Sequence, residues 1–252
     1  MPPEQTRKAA EDSPSVLEAS KRVQRSEKEK GSRPSFLDAT EMVKINVFES
    51  PSNDNKEDDE GVNSAEVTKK TFLVHKAILC HYSSFFNAAF NGGFAEDAAQ
   101  ELDLPDTGPI LFSIFVEWIY SQRVTMSITT WNNDILTLTK LWVLADRCLV
   151  PRLQNETLGY IEDSRVTWKW KFCPASVCAY VYDSTTDRSP LRQYLADLYS
   201  HDICLVNLPP PMLADIITCT VKHLRVPESN VRRVGYTLCE EQLRRYYVPL
   251  RT

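Results

Sequence analysis

The sequence predicts an α+β fold in which a small sheet is flanked by a cluster of short helices and followed by a helical extension. Residues 42–48 alternate apolar and polar side chains, the pattern of a half-buried strand. A run beginning at residue 71 changes from β-branched and aromatic residues to an apolar rhythm of helical spacing. Apolar stripes at helical spacing then follow from residue 109 onward.

The length and composition are those of an ordinary soluble globular chain. The 252 residues suffice for one or two domains, and 42% of them are hydrophobic and 25% charged. A formal net charge of −5 argues against general binding to the phosphates of a nucleic acid. No uncharged apolar run approaches the ~18 residues that span a bilayer, and the N-terminus lacks the hydrophobic core of a signal peptide. We therefore expect a cytoplasmic or nuclear protein without membrane or nucleic-acid partners.

The cysteines indicate the same compartments. Their number is odd, and no pair has the C-x-x-C spacing of a metal or redox site. Most stand among apolar neighbours, as in AILC and VCAY, which predicts buried reduced thiols. The seven positions are Cys80, Cys148, Cys173, Cys178, Cys204, Cys219 and Cys239.

Two segments are too polar to build a core. Residues 1–39 are rich in charge, Ser, Pro and Gln, so we expect a disordered tail. Basic residues between 21 and 30 suggest a nuclear signal, but the acidic residues among them favour a solvated tail. Residues 50–66 make an acidic loop whose D-x-x-E-D-D-E order does not fit an EF-hand. We interpret this loop as a mobile hairpin connection and expect no metal site.

The run TFLVHKAILCHYSSFFNAAFNGGFAED is the most informative part of the chain. Residues 71–75 predict a short strand, and apolar residues between 78 and 90 recur at helical spacing. Ser83 is placed to cap a second helical segment. Gly92 and Gly93 are expected to end it, because glycine accepts the left-handed conformation that a helix terminus often needs.

Four more helices are predicted farther along the chain. Pro109 is suited to a first helical turn, and an apolar stripe follows it. Ser189-Pro190 and the three prolines at 209–211 each precede another stripe. The stripes comprise Leu111, Ile114, Phe115 and Trp118; Ile135, Leu138, Leu141, Trp142 and Ala145; Leu191, Tyr194, Leu195 and Leu198; and Leu213, Ile216, Ile217 and Leu224.

The segment TWKWKF at 167–172 has two interpretations. Its alternating aromatic and lysine side chains suit a stacking platform for nucleic acid. They also suit an aromatic anchor between the preceding domain and the C-terminal helices. The net negative charge of the chain favours this second interpretation. A transcription-associated or nucleic-acid-contacting scaffold is therefore the competing function. Salt-dependent retention on nucleic acid that is lost on Trp168→Ala would support it.

Several linked motifs resemble the BTB/POZ family. They are V-H-K at the end of a strand, then A-I-L, Y-S-S-F-F and G-G-F-x-E. ELDLP (101–105) resembles the family's next strand, and FSIFVEWIYSQRV (112–124) resembles its following helix. LWVLADRCLVPRLQN (141–155) resembles the closing helix pair, and YVYDSTTDRSPLRQYLADLY (180–199) resembles a segment typical of fungal members.

The resemblance implies a BTB/POZ domain at 40–163 and a helical C-terminal extension at 164–252. It implies a non-enzymatic protein-interaction adaptor that forms homodimers and serves a cullin-based ubiquitin ligase. The family's first strand often begins with Asp before Val, whereas Met42 precedes Val43 here. A dimer interface that depends on that acid is therefore not expected in this chain.

Phe94 and Glu96 are the candidate partner-binding residues. Cullin-binding relatives carry a hydrophobic-x-Glu motif after the second helical segment, and Phe94-Ala95-Glu96 matches it. An exposed aromatic would fill a partner's pocket, and the carboxylate would set orientation. The alternative is that Phe94 covers the helix end while Glu96 is solvated. Both interpretations stay open at the level of sequence.

Catalytic motifs give no positive case for an enzyme. Cys80-His81, with His75 nearby, is the one local grouping of a nucleophile with a base. Cys80 belongs to an apolar stripe, and the family also places a histidine at the end of this strand. A cysteine-dependent enzyme would need a Cys80 thiol that alkylates quickly near neutral pH. We expect no catalytic residue and no cofactor.

Overall fold

The computed structural model describes residues 39–49, 68–125, 131–167, 173–200, 208–224 and 240–250. These residues form the expected α+β arrangement, in which no helix is long and apolar enough to cross a membrane. The elements are β1 (Met42–Glu49), β2 (Thr68–His75), α1 (Lys76–Tyr82), α2 (Ser84–Asn91), α3 (Ala95–Ala99), β3 (Glu101–Leu104), α4 (Pro109–Ser121), α5 (Trp131–Arg147), α6 (Pro151–Thr167), α7 (Ala175–Ser184), α8 (Pro190–Ser200), α9 (Pro210–Leu224), α10 (Glu240–Leu243) and a 3-10 turn (Arg244–Tyr246).

The sheet has the order β2-β1-β3, with β1 antiparallel to β2 and parallel to β3. Val43, Ile45 and Val47 on β1 are fully buried, as the alternation predicts. β2 begins three residues earlier than predicted, because Lys69 and Lys70 continue the pairing with β1. Lysines are typical of an edge strand, whose outer side faces solvent.

The polar face of β1 is not as exposed as the alternation suggests. Asn46 lies on this face, yet it is buried. Its Nδ2 donates to Glu101 Oε1 and to Asp103 Oδ1, each at 2.6 Å, and its Oδ1 accepts from Thr71 Oγ1 at 2.7 Å. Side chains of both neighbouring strands close over the amide, and their hydrogen bonds offset the cost of burying it.

Ser83 joins the two short helices that follow the sheet. Its side chain accepts the Phe86 N–H at 3.1 Å, which confirms the predicted cap of α2. The same hydroxyl donates to the Cys148 carbonyl at 2.6 Å, which ties this cap to the end of α5. The apolar sides of α1 and α2 enter the core through Ile78, Leu79, Phe86 and Phe90.

Helices α4, α5 and α6 complete the core around the sheet. Pro109 opens α4 as predicted, and the α4 residues Phe112, Phe115, Trp118 and Ile119 are buried. Leu111 and Ile114 of the predicted stripe are only partly buried, because the buried face of α4 is rotated toward Phe112 and Ile119. All five predicted α5 stripe residues, from Ile135 to Ala145, are also buried. Glu156 on α6 accepts the Trp118 Nε1–H at 2.8 Å and the Val124 N–H at 2.9 Å. This carboxylate links α6 to the end of α4, and burial raises the pKa of Glu156.

Helices α7 and α8 form a hairpin closed by one arginine. Arg192 is buried and donates to the Tyr182 carbonyl at 2.6 Å, to Thr185 Oγ1 at 3.0 Å and to Asp187 Oδ1 at 2.7 Å. The bond to Tyr182, and a further bond to the Thr185 carbonyl, satisfy carbonyl groups at the end of α7 that have no partner within the helix. The predicted α8 stripe, from Leu191 to Leu198, is buried as expected.

Helix α9 departs from its predicted form in two respects. It begins at Pro210, within the run of prolines rather than after it, because proline is tolerated in a first turn. Ile216 is buried, but Ile217 is 64% exposed although it belongs to the predicted stripe. The two residues point about 100° apart, and only the side of α9 that carries Met212 and Ile216 is buried.

Several sequence-based interpretations fall outside the described residues. They concern the tail up to residue 38, the acidic loop at 50–66 and the aromatic residues of 168–172. Helix α6 continues without a break through residue 163, the predicted end of the first domain. The bounds of the predicted domains stay a prediction.

Candidate partner-binding site

The turn between α2 and α3 presents the predicted partner-binding residues. Helix α2 ends at Asn91, and Gly92 has φ −97°, so the left-handed conformation predicted for the glycine pair occurs only at Gly93, with φ +74°. A glycine is required at position 92 for a different reason, because a side chain there would not fit. A Cβ at Gly92 would lie 2.2 Å from the Ala88 carbonyl oxygen, which is part of the helix backbone.

Phe94 lies outside the core on this turn. Its side chain is 60% exposed, and one edge of its ring lies against Gly92, where a Cβ would be 2.9 Å from Cε2. Its backbone is extended, and its carbonyl accepts the Asp97 N–H at 3.1 Å to begin α3. The ring is thus held by local backbone geometry while most of its surface stays in contact with solvent.

Asp97, which the sequence analysis did not single out, fixes the turn. Its Oδ2 accepts the Gly93 N–H at 3.2 Å, and its Oδ1 lies 3.7 Å from Lys76 Nζ. Lys76 opens α1, and its Nζ also lies 3.8 Å from Glu41 Oε2 ahead of β1. The sequence could have indicated this role of Asp97, because acidic residues favour helix N-termini and Asp97 lies in the first turn of α3.

Glu96 differs from Asp97 in its surroundings. Glu96 is half-buried in the first turn of α3, one residue before Asp97, whose carboxylate pairs with Lys76. The turn therefore presents one exposed aromatic ring and, two residues later, a carboxylate. Hydrogen bonds of the Phe94 carbonyl and of the Gly93 N–H hold its backbone. Such an arrangement suits a binding anchor with an orienting charge, because little conformational freedom is lost when it docks.

The Cys80 thiol and the His75 ring each contact a group outside the predicted grouping of a nucleophile with a base. The His75 Nδ1 atom lies 2.7 Å from the Tyr120 hydroxyl oxygen, and this contact links the end of β2 to α4. The Cys80 thiol donates to the Phe86 carbonyl at 3.6 Å. Within the described ranges, no cluster of three or more His, Cys, Asp or Glu side chains is placed to hold a metal ion.

We expect Cys80 to alkylate slowly. Burial raises its pKa above the ordinary value of 9.0, so its reactive thiolate is scarce at neutral pH. The rate of Cys80 carbamidomethylation by iodoacetamide, followed by peptide mapping, should be lower at pH 7.5 than that of a free cysteine peptide. It should then rise as the pH passes 9. Fast labelling at pH 7.5 would instead revive the cysteine-enzyme interpretation.

Comparisons with known proteins match part of the chain to one domain family. Residues 64–163 match the model of the BTB/POZ domain family. BTB/POZ domain-containing protein 6 of Xenopus tropicalis is 33% identical over 103 residues, which are 41% of this chain and 18% of that protein. Kelch-like ECH-associated protein 1A of Danio rerio is 35% identical over 66 residues, 26% of this chain and 11% of that protein. Kelch-like protein 30 of Homo sapiens is 32% identical over 88 residues, 35% of this chain and 14% of that protein.

The matches concern one domain, since the chain spans less than a fifth of the length of these relatives. The domain match, the three-stranded sheet and the helices around it confirm the expected BTB/POZ fold. A BTB/POZ domain is a protein-interaction module and is generally not an enzyme. This part of the chain is therefore a domain for binding other proteins.

Proposed function

We propose that the chain is a non-enzymatic adaptor that self-associates and binds a cullin scaffold of a ubiquitin ligase. The observation that carries the proposal is the exposed Phe94 ring on a turn fixed by Asp97. A large apolar side chain held in solvent by backbone contacts contributes little to the core and is free to act as an anchor in a partner's pocket. The segment at 180–199 supports a fungal member of the family, and the free cysteines support the cytoplasm or nucleus.

The direct test is binding of the purified full chain to a purified cullin. We expect isothermal titration calorimetry to show one cullin bound per chain with micromolar or tighter affinity, because the motif combines an anchor with an orienting charge. Absence of heat and of co-elution at ~50 μM of each protein would remove the cullin from the proposal. The adaptor role would then need another partner.

Self-association is expected to use the outer face of the sheet. Met42 and Leu73 are exposed there, and the pairing of Lys44 with Leu73 puts both apolar side chains on the same face. Met42 stands where the family often has an acid, so the interface proposed here does not depend on a charge at that position. Symmetric homodimers are the commonest closed assembly, and exposed apolar surface favours them.

Sedimentation of the full chain at micromolar concentration should give a dimer. Leu73→Lys should shift it toward the monomer, because a charge would be buried in the interface. Ile110→Lys is the matched control, since Ile110 is 72% exposed and belongs to the first turn of α4 rather than to the sheet. A strictly monomeric wild type would contradict the proposed self-association.

A further inference from the structure

The C-terminal residues 243–248 lie against helices α6 and α8 as a bound peptide would. Leu243 ends α10, and the 3-10 turn that follows leads into extended backbone at Tyr247, with φ −74° and ψ 138°. Leu243 and Tyr246 are buried, and Tyr247 and Val248 pack against the core. The two helices are themselves linked, because the Tyr194 hydroxyl of α8 donates to Glu162 of α6 at 2.8 Å.

Asn155 on α6 recognises the backbone of this segment. Its Nδ2 donates to the Val248 carbonyl at 2.9 Å, and its Oδ1 accepts the Val248 N–H at 2.7 Å. One side-chain amide thus satisfies both backbone groups of one extended residue, as a neighbouring β-strand would. Contacts of this kind bind a peptide without reading its side chains.

Side-chain recognition comes from the neighbouring helix. The Tyr246 ring packs edge-on against the Tyr194 ring, with 5.7 Å between centroids, and its hydroxyl donates to the Asp197 carboxylate. One turn after Asn155, the Tyr247 hydroxyl lies beside Gly159, 3.9 Å from where a Cβ would be, which is an ordinary packing distance. Backbone reading combined with pockets for chosen side chains is the design of a peptide-recognition groove.

We propose that this groove between α6 and α8 is a second protein-binding site, which takes an extended peptide from a partner and is closed by the chain's own C-terminus. The partner segment would carry a leucine, a tyrosine three residues later and an aliphatic residue two further on, as Leu243, Tyr246 and Val248 do. The inference rests on the proposed adaptor function, for which the groove would hold the protein that the adaptor delivers. The C-terminus then competes with that partner.

The test uses a fluorescein-labelled synthetic peptide, EEQLRRYYVPLRT, which is residues 240–252. Fluorescence anisotropy should give ~10-fold tighter binding to the full-length Tyr246→Ala variant than to the wild type, because the competing segment is weakened. Adding Asn155→Ala to that variant should weaken peptide binding by ~10-fold, because two hydrogen bonds are lost. A peptide N-methylated at the residue matching Val248 should show a comparable loss.

Two results would overturn the proposal. One is no peptide binding by a Tyr246→Ala chain that melts as a folded protein. The other is binding that neither Asn155→Ala nor N-methylation changes, which would place the peptide elsewhere. Phe94→Ala should leave peptide binding intact, so failure at the groove can be distinguished from failure of cullin binding.

Hydrogen exchange of the wild-type chain gives an independent test that needs no variant. If the groove opens to partners, the Val248 amide should exchange faster than the buried amides of α6, because the segment detaches without global unfolding. Equal protection of Val248 and the α6 core would mean that the segment leaves only on unfolding. That outcome would overturn the proposal even if the variants failed to fold.

Discussion

Phe94→Ala should leave the melting temperature of the full chain nearly unchanged while weakening cullin binding by ~2 kcal/mol or more. The ring is 60% exposed and touches the turn mainly at Gly92, so its truncation removes little buried surface. In a complex, the same ring would be buried in a pocket of the partner. Thermal melts and titration calorimetry of the same preparation separate the two effects.

Phe86→Ala provides the matched control for a phenylalanine that belongs to the core. Phe86 is fully buried in α2, so this variant should lose ~3–5 kcal/mol of folding stability. Glu96→Lys should act mainly on the association rate and on its salt dependence, because charges at the rim of an interface steer more than they hold. A large fall in melting temperature for Phe94→Ala, or undiminished binding by both site variants, would show that the motif is misread.

The sequence predicts those features that depend on periodicity and on single residues. The stripes of α5 and α8 were predicted in full, and that of α4 in part, because three or four apolar residues per two turns must face a core. Ser83 was predicted as a cap because its side chain serves a backbone group three residues away. Phe94 follows two glycines and leaves the apolar stripe, which agrees with its exposure, but the sequence left open whether the ring covers the helix end.

The sequence does not predict features made by contacts between distant segments. Asn46 alternates with apolar residues as a solvent-facing residue does, yet side chains from two other strands bury it. Asp97 fixes the candidate site through Lys76, which lies 21 positions earlier on another helix. The C-terminal segment meets Asn155 across 93 positions, and no local pattern indicates that pairing.

Glu162 and Arg165 are the strongest case of this kind. The stretch YIEDSRV has the composition of a solvated helix face, but both side chains are buried. Arg165 Nε donates to Glu162 Oε2 at 2.8 Å, and its Nη2 donates to Oε1 at 2.7 Å. The hydrogen bonds and the charge of Glu162 outweigh burial and raise the pKa of Arg165. The Tyr194 hydroxyl completes the network from α8.

Arg165→Met should therefore destabilise the chain by ~3–5 kcal/mol, because it leaves the Glu162 carboxylate buried without its cation. Tyr194→Phe should cost only ~1–3 kcal/mol, since it removes one hydrogen bond to a carboxylate that keeps its arginine. Urea unfolding at pH 7, followed by circular dichroism, measures both changes, because the described residues are largely helical.

Replacing the whole network distinguishes a lost charge partner from lost packing. A variant that combines Glu162→Leu, Arg165→Met and Tyr194→Phe leaves no charge buried in this network, so its stability should return to within ~1 kcal/mol of the wild type. If packing volume set the loss in Arg165→Met, the triple variant would stay as unstable as the single one. A single variant that costs less than ~1 kcal/mol would instead mean that water reaches Glu162, and that the pair does not hold α8 against α6.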